Sequence, residues 1–133
     1  HKNKDKNFIT IGTATFNKTC EIIKKKNNIY FCIGRNDTLV KLKGNRIDLL
    51  EIENLVKKIT NVNFTFCFLK KNKVPYLILI INAEKKISES LLRNSISRFL
   101  PNYMMPKSIH FEKKLKFNKN GKVDKAYYRS AYN

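Results

Sequence analysis

Residues 120–122 read Asn-Gly-Lys. An Asn-Gly pair bends a chain tightly, and the bend delivers Lys122 at once. A lysine held this way is a candidate for fixing negative charge at one point in space; on local evidence alone it reads first as a solvated hairpin lysine. Two other short stretches place reactive residue types at a bend. "GRND" (34–37) sets Arg35 and Asp37 beside Gly34 between strand-like runs, and by itself reads as a type I turn with an Asp cap. "KGNRI" (43–47) puts Gly44 in a bend between strand and helix with Arg46 just before the helix, and by itself reads as a left-handed turn. Other chemistries lack their residues. The four glycines form neither a dinucleotide nor a Walker phosphate loop. His1 and His110 are too far apart to suggest a metal pair, and Cys20, Cys32 and Cys67 contain no C-x-x-C, so no metal site is expected. No Ser-His-Asp or Cys-His spacing stands out. Glu51 and Glu53 fall on a predicted helix and read as solvated or capping carboxylates.

The elements that must position these residues follow from periodicity. Residues 8–16 are β-branched and aromatic and predict one strand. Strands at 20–24 and 29–33 flank a Lys/Asn turn. Residues 38–44 alternate as a half-exposed strand does. Asp48 caps the clearest helix, with Glu51 in the capping-box place and Leu49, Ile52, Val56 and Ile59 at helical spacing beside Leu55. "FTFCFL" (64–69) and "PYLILII" (75–81) predict an antiparallel pair. Ser88 caps a second helix, with Leu91, Leu92, Ile96, Phe99 and Leu100 apolar, and Pro101 ends it. "SIHFE" (108–112) is a further strand, and "VDKAYYRSAY" a terminal helix. The fold class expected is α+β: a short β-hairpin and a central mixed or antiparallel three-stranded sheet flanked by helices.

At 133 residues the chain holds one domain, or one domain with a remnant of another. Its charge of +18 would attract polyanions, including nucleic acid. Yet 23 of the 28 cations are Lys, spread along the whole chain, which reads as a solvated surface. The odd cysteine count fits a reducing compartment, so a cytoplasmic location is expected. No apolar run is long enough to span a membrane, and the polar start "HKNKDKN" carries no secretory pattern.

Taken in order, the three bends make a pattern. "GRNDTLVKLKGNRIDLLEIE" (34–53) resembles the G-R-x-D-x-x-V-K-x-x-G-x-R-I-E-L-x-E-I-E signature of the adenylate-forming enzymes, which include acyl-CoA synthetases and nonribosomal peptide synthetase adenylation domains. "LPNYMMPKSIHFEKKLKFNKNGKVDK" (100–125) resembles the closing motif of that superfamily, L-P-x-Y-M-x-P followed by N-G-K-x-D. The first of these closing elements is most typical of carrier-protein-loading members.

The resemblance implies roles. Residues 38–133 would be the small C-terminal subdomain, 34–37 the hinge, and 1–33 the last strands of the large N-terminal domain. Lys122 would be catalytic, contacting the substrate carboxylate and oxygens near the ATP α-phosphate. Arg35 would reach the ribose hydroxyls, and Asp37 would be the hinge residue. Gly44 would border the pantetheine tunnel, with Arg46 in the same loop. ATP and magnesium would be held mainly by the N-terminal domain. The acyl acceptor would be phosphopantetheine of a carrier protein or CoA, and the substrate a small carboxylic or amino acid. The chain departs from the pattern at Thr13, where "IGT" (11–13) stands for the family's T-G-D. Leu39 and Leu50 stand where many carrier-loading members have Gln and Gly. The alternatives are a small basic nucleic-acid-binding domain, for which Phe64, Phe66 and Phe68 would be stacking aromatics, and a degenerate relative with a scaffolding role. Those aromatics share one face of a strand beside another apolar strand, which favours a core.

Overall fold

The computed structural model describes residues 8–11, 14–17, 21–35 and 38–132. The chain divides into two compact units, His1–Thr38 and Leu39–Asn133.

The first unit contributes two hairpins. Strand β1 (Phe8–Ile11) pairs antiparallel with β2 (Ala14–Asn17), Ile11 facing Ala14. The single strand expected over 8–16 is therefore two. Strand propensity is high on both sides of Gly12, and propensity alone does not mark a reversal. Strand β3 (Glu21–Lys26) pairs with β4 (Ile29–Arg35). Between them Asn27 and Asn28 both have positive φ, 48° and 60°. That is the two-residue turn whose twist suits a hairpin, and Asn tolerates it better than most residues.

The second unit is built around a mixed three-stranded sheet of order β7-β8-β9. Strands β7 (Thr65–Lys70) and β8 (Tyr76–Asn82) are antiparallel, and β9 (Ser108–Glu112) runs parallel to β8. Residues 77–81 of β8 are all buried, because the strand is central and both sheet faces are covered. This explains its unbroken apolar run. Two apolar clusters lie on the two faces. Cys67, Leu77, Leu79, Ile81 and Ile109 pack with helix α1 (Leu49–Thr60) and helix α2 (Glu89–Ser97). Phe66, Phe68, Ile78 and Ile80 pack with Tyr128 of helix α3 (Lys125–Ala131).

Strand β5 (Leu39–Leu42) leads into β6 (Asn45–Asp48), which pairs with it antiparallel. Residues 43–47 were expected as a bend between strand and helix; most of them form a second strand. Asn and Asp have poor strand propensity, so β6 exists through pairing with β5 and through the buried Ile47. At its end Asp48 caps α1, its Oδ1 accepting the Leu50 N–H at 3.0 Å. The helix stops at Asn61, where φ is 55° and the N–H donates to the Lys57 carbonyl at 2.8 Å.

In α2, Leu92 and Ile96 are buried while Leu91 and, just beyond the helix, Phe99 are exposed. Adjacent residues lie about 100° apart around a helix, so Leu91 and Leu92 do not share one face. Ser88 occupies the N-cap position of α2, but its hydroxyl meets that of Ser90 at 3.1 Å and caps no backbone N–H. Arg93 ties α2 to the segment before β9: it donates to the carbonyls of Pro106 at 2.7 Å and Lys107 at 3.0 Å.

Candidate functional site

Lys122 stands on a closed bend. The Asn118 N–H donates to the Lys122 carbonyl at 2.8 Å, and the Gly121 N–H donates to the Asn118 carbonyl at 3.0 Å. Gly121 has φ +73°. The combination is a four-residue turn closed by a left-handed glycine, a form that suits hairpins. The Asn118 side chain adds a second layer: its Oδ1 accepts the N–H groups of Asn120 at 2.9 Å and Lys122 at 3.0 Å. Beyond the bend Phe117 pairs with Val123, and the Asp124 N–H donates to the Lys116 carbonyl at 2.8 Å. Asp124 then caps α3 by accepting the Tyr127 N–H at 2.9 Å. Leu115 and Val123 pack against the Tyr128 cluster, and the Tyr128 hydroxyl accepts the Lys116 N–H at 3.0 Å. The bend is anchored at its base while Lys122 itself is exposed. A cation whose backbone is already ordered loses less entropy when it meets an anion.

Gly44 lies in the two-residue turn of the β5–β6 hairpin. Lys43 and Gly44 both have positive φ, 49° and 84°. A Cβ at Gly44 would meet no atom within 4 Å, so within this chain its requirement is conformational. Arg46 is exposed and faces Lys41 across the hairpin. Like charges directly opposite repel, and this pair presents a compact cationic face that an anion would relieve. The buried side of the same hairpin, Leu42 and Ile47, belongs to the α1 and α2 cluster. The Lys122 bend and the Gly44–Arg46 hairpin are thus rooted in opposite faces of the central sheet; the structure does not bring them together. Arg35 is the last residue of β4, with its backbone opposite Glu21. Asp37, Thr13, Cys20 and His1 lie outside the described residues.

Glu53 was expected to be solvated or capping; it is buried, at 6% exposure. Its Oε1 accepts the Cys67 N–H at 2.8 Å, and its carbonyl accepts the Thr65 hydroxyl at 3.1 Å. Burial pushes the Glu53 carboxyl above its ordinary 4.5, against the opposing pull of the Cys67 hydrogen bond, Lys125 and Lys57. The signal was present: position 53 is four residues after Leu49 and three before Val56, inside the apolar stripe. Asn118 and Arg93, both of which hold loops in place, carried no such signal. Glu51, by contrast, is exposed.

A second polar group lies on β9. The Ser108 hydroxyl meets His110 Nε2 at 2.8 Å, the His110 ring packs on Tyr132 at 4.2 Å, and the Tyr132 hydroxyl donates to Glu112. Burial lowers the imidazole of His110 from 6.5, outweighing Glu112 and Glu89. Burial and the bond to Glu112 push the Tyr132 phenol up to about 12. These shifts follow from tying the C-terminal end of α3 to the sheet. Among the described residues no group of three or more His, Cys, Asp or Glu is placed to hold a metal ion, and no helix is long and apolar enough to cross a membrane. Depressions of about 370 and 400 Å³ flank the loop 83–87 and contain none of the candidate residues.

Relatives of the chain identify its class. The chain belongs to the adenylate-forming superfamily. Within it, curated relatives of the chain include peptide synthetases and carrier-protein ligases. It is 38% identical over 100 residues to bacitracin synthase 1 of Bacillus licheniformis, covering 74% of this chain and 2% of that one. It is 30% identical over 129 residues to a D-alanine–D-alanyl carrier protein ligase of Bacillus licheniformis, covering 91% and 26%. Its fold matches a four-domain nonribosomal peptide synthetase bound to AMP and glycine, with a TM-score of 0.72 and 23% identity, covering 93% of this chain and 10% of that one. The chain therefore spans about a quarter or less of the length of these relatives. No protein-family model matches it.

Proposed function

We propose that this chain is the mobile C-terminal subdomain of an ATP-dependent acid–thiol ligase, with 1–33 as the closing strands of a large N-terminal domain and 34–37 as the hinge. In the first reaction a substrate carboxylate oxygen attacks the α-phosphate of ATP. A P–O bond forms, the bond to pyrophosphate breaks, and an acyl- or aminoacyl-adenylate results. Negative charges converge at this step, so a positioned cation lowers the barrier by holding the developing charge. Lys122 is that cation. Its anchored, exposed bend is the single observation that carries the reading.

In the second reaction the thiol of phosphopantetheine attacks the acyl carbon and AMP leaves. Gly44 and Arg46 serve this step, Gly44 beside the pantetheine arm and Arg46 toward its phosphate. Their place on the layer opposite Lys122 supports an alternation in which each face of the subdomain meets the cleft in turn. Arg35 reaches the ribose and Asp37 is the pivot. The names of the relatives favour a carrier protein over CoA as acceptor, and an amino or other small carboxylic acid as substrate. Magnesium would accompany ATP in the N-terminal domain. A cytoplasmic location fits such substrates.

The charge of +18 favours no second reading. Phe66 and Phe68 are 2% and 4% exposed, so they offer no stacking platform to bases. The test is amino-acid-dependent ATP–pyrophosphate exchange by the protein carrying both domains. Lys122→Ala should lower exchange by about two orders of magnitude or more while thiol transfer from a supplied adenylate proceeds. Wild-type exchange by that variant would remove Lys122 from catalysis.

A further inference from the structure

Asn120 and Gly121 form the one Asn-Gly step in the chain, and both are exposed. Gly121 brings no side chain to shield its own nitrogen, and a Cβ there would meet nothing within 4 Å. We propose that Asn120 is a site of spontaneous covalent modification that acts on the Lys122 bend. The Gly121 nitrogen gives up its proton and bonds to Asn120 Cγ. The Cγ–Nδ2 bond breaks, and ammonia leaves with the proton it needs, closing a five-membered imide. Water then opens the ring at one of its two carbonyls, giving aspartate or isoaspartate. The sum is one water consumed and one ammonia released, with no change of oxidation state.

The same bend that presents Lys122 restrains this reaction. The attacking nitrogen is the one whose hydrogen is bonded to the Asn118 carbonyl at 3.0 Å. The flanking N–H groups of Asn120 and Lys122 are both held by Asn118 Oδ1. Attack needs that nitrogen released and the backbone turned toward the side chain, so the rate follows opening of the bend. Asn118 is thus the lock on Asn120. Either product puts a carboxylate two residues before Lys122. Isoaspartate also routes the backbone through the side-chain carbon, adding one atom between residues 120 and 121 and spoiling the turn. The modification stands on this geometry alone; only its effect on adenylation rests on the role proposed for Lys122.

The experiment holds the purified chain at mildly alkaline pH and maps its peptides by mass spectrometry, with isoaspartate detected by enzymatic methyl transfer. The amide-to-acid mass gain should concentrate at Asn120 and quicken as pH rises. Asn118→Ala should react about tenfold faster, because two hydrogen bonds to one oxygen no longer hold the bend shut. Asn118→Asp, which keeps an acceptor at that place, should fall back toward the wild-type rate. Equal rates in the wild type and Asn118→Ala would overturn the proposal, as would gain spread evenly over the other asparagines. If the bend is modified and the protein carrying both domains still forms adenylate at full rate, the modification stands and the role of Lys122 falls.

Discussion

The carboxylate of Glu53 accepts the backbone N–H of Cys67 at 2.8 Å, across the open edge of β7. Among the described residues β7 is the outer strand of its sheet, and no strand pairs with that edge. A helix side chain therefore does the work of a missing strand. The same relationship places α1, and with it the hairpin that Asp48 joins to α1, against the sheet.

Glu53→Ala should destabilise the chain by about 1–3 kcal/mol, since it orphans a buried N–H and opens a gap beneath α1. Glu53→Gln keeps an acceptor oxygen and sheds the charge, and should cost far less. Urea unfolding midpoints of the two variants check this; equal losses would refute the edge-closing role.

The raised pKa of Glu53 sets a sign for pH dependence. The folded state binds this proton more tightly than the unfolded state. The resulting stability is present below the ordinary value of 4.5 and is lost as pH rises through the elevated folded value. The stability of Glu53→Gln relative to wild type should therefore rise with pH through that window. A flat difference between the two urea titrations would contradict it.

Gly44→Ala should cost about 1–2 kcal/mol, the strain of a side chain at φ +84°, with no added clash because the space is open. Gly121→Ala should cost a similar amount at φ +73°. Thermal unfolding measures both. A defect in thiol transfer by Gly44→Ala that exceeds its loss of stability would locate the pantetheine arm at this turn.

Lys122→Ala should leave stability within about 0.5 kcal/mol, because the side chain is exposed and the bend is closed by backbone and Asn118. Adenylation should nonetheless fall by about two orders of magnitude or more, the scale of losing one positioned charge-stabilising group. Pyrophosphate exchange beside a denaturation curve separates the two effects.

Tyr128→Phe should cost about 1–2 kcal/mol and loosen the bend from below. The Tyr128 ring is fully buried and its hydroxyl accepts the Lys116 N–H at 3.0 Å. Amide exchange at Lys116 should quicken more than at β8. Unchanged protection at Lys116 would show that packing alone holds the strand.

Much of this was legible in order along the chain. Asp48 before an apolar stripe, Pro101 after one, and the runs at 64–69 and 75–81 are local statements, and the elements formed where they point. The bends were legible too, since Gly44, Gly121 and the Asn27–Asn28 pair answer to backbone conformation. What went unread depends on distant partners. Strand β6 exists because β5 pairs with it, and Leu91 points outward because Leu92 takes the inward direction.

Residue types and spacing alone determined that a lysine follows a sharp bend and that a glycine turn precedes a capped helix, because turns and caps are decided within a few bonds. Tertiary structure decided that these two features hang on opposite faces of one sheet and that Glu53 faces inward to close an edge. It also made Asn118 the knot beneath Lys122. Those outcomes depend on which segments meet across the sheet and which N–H groups are left without partners.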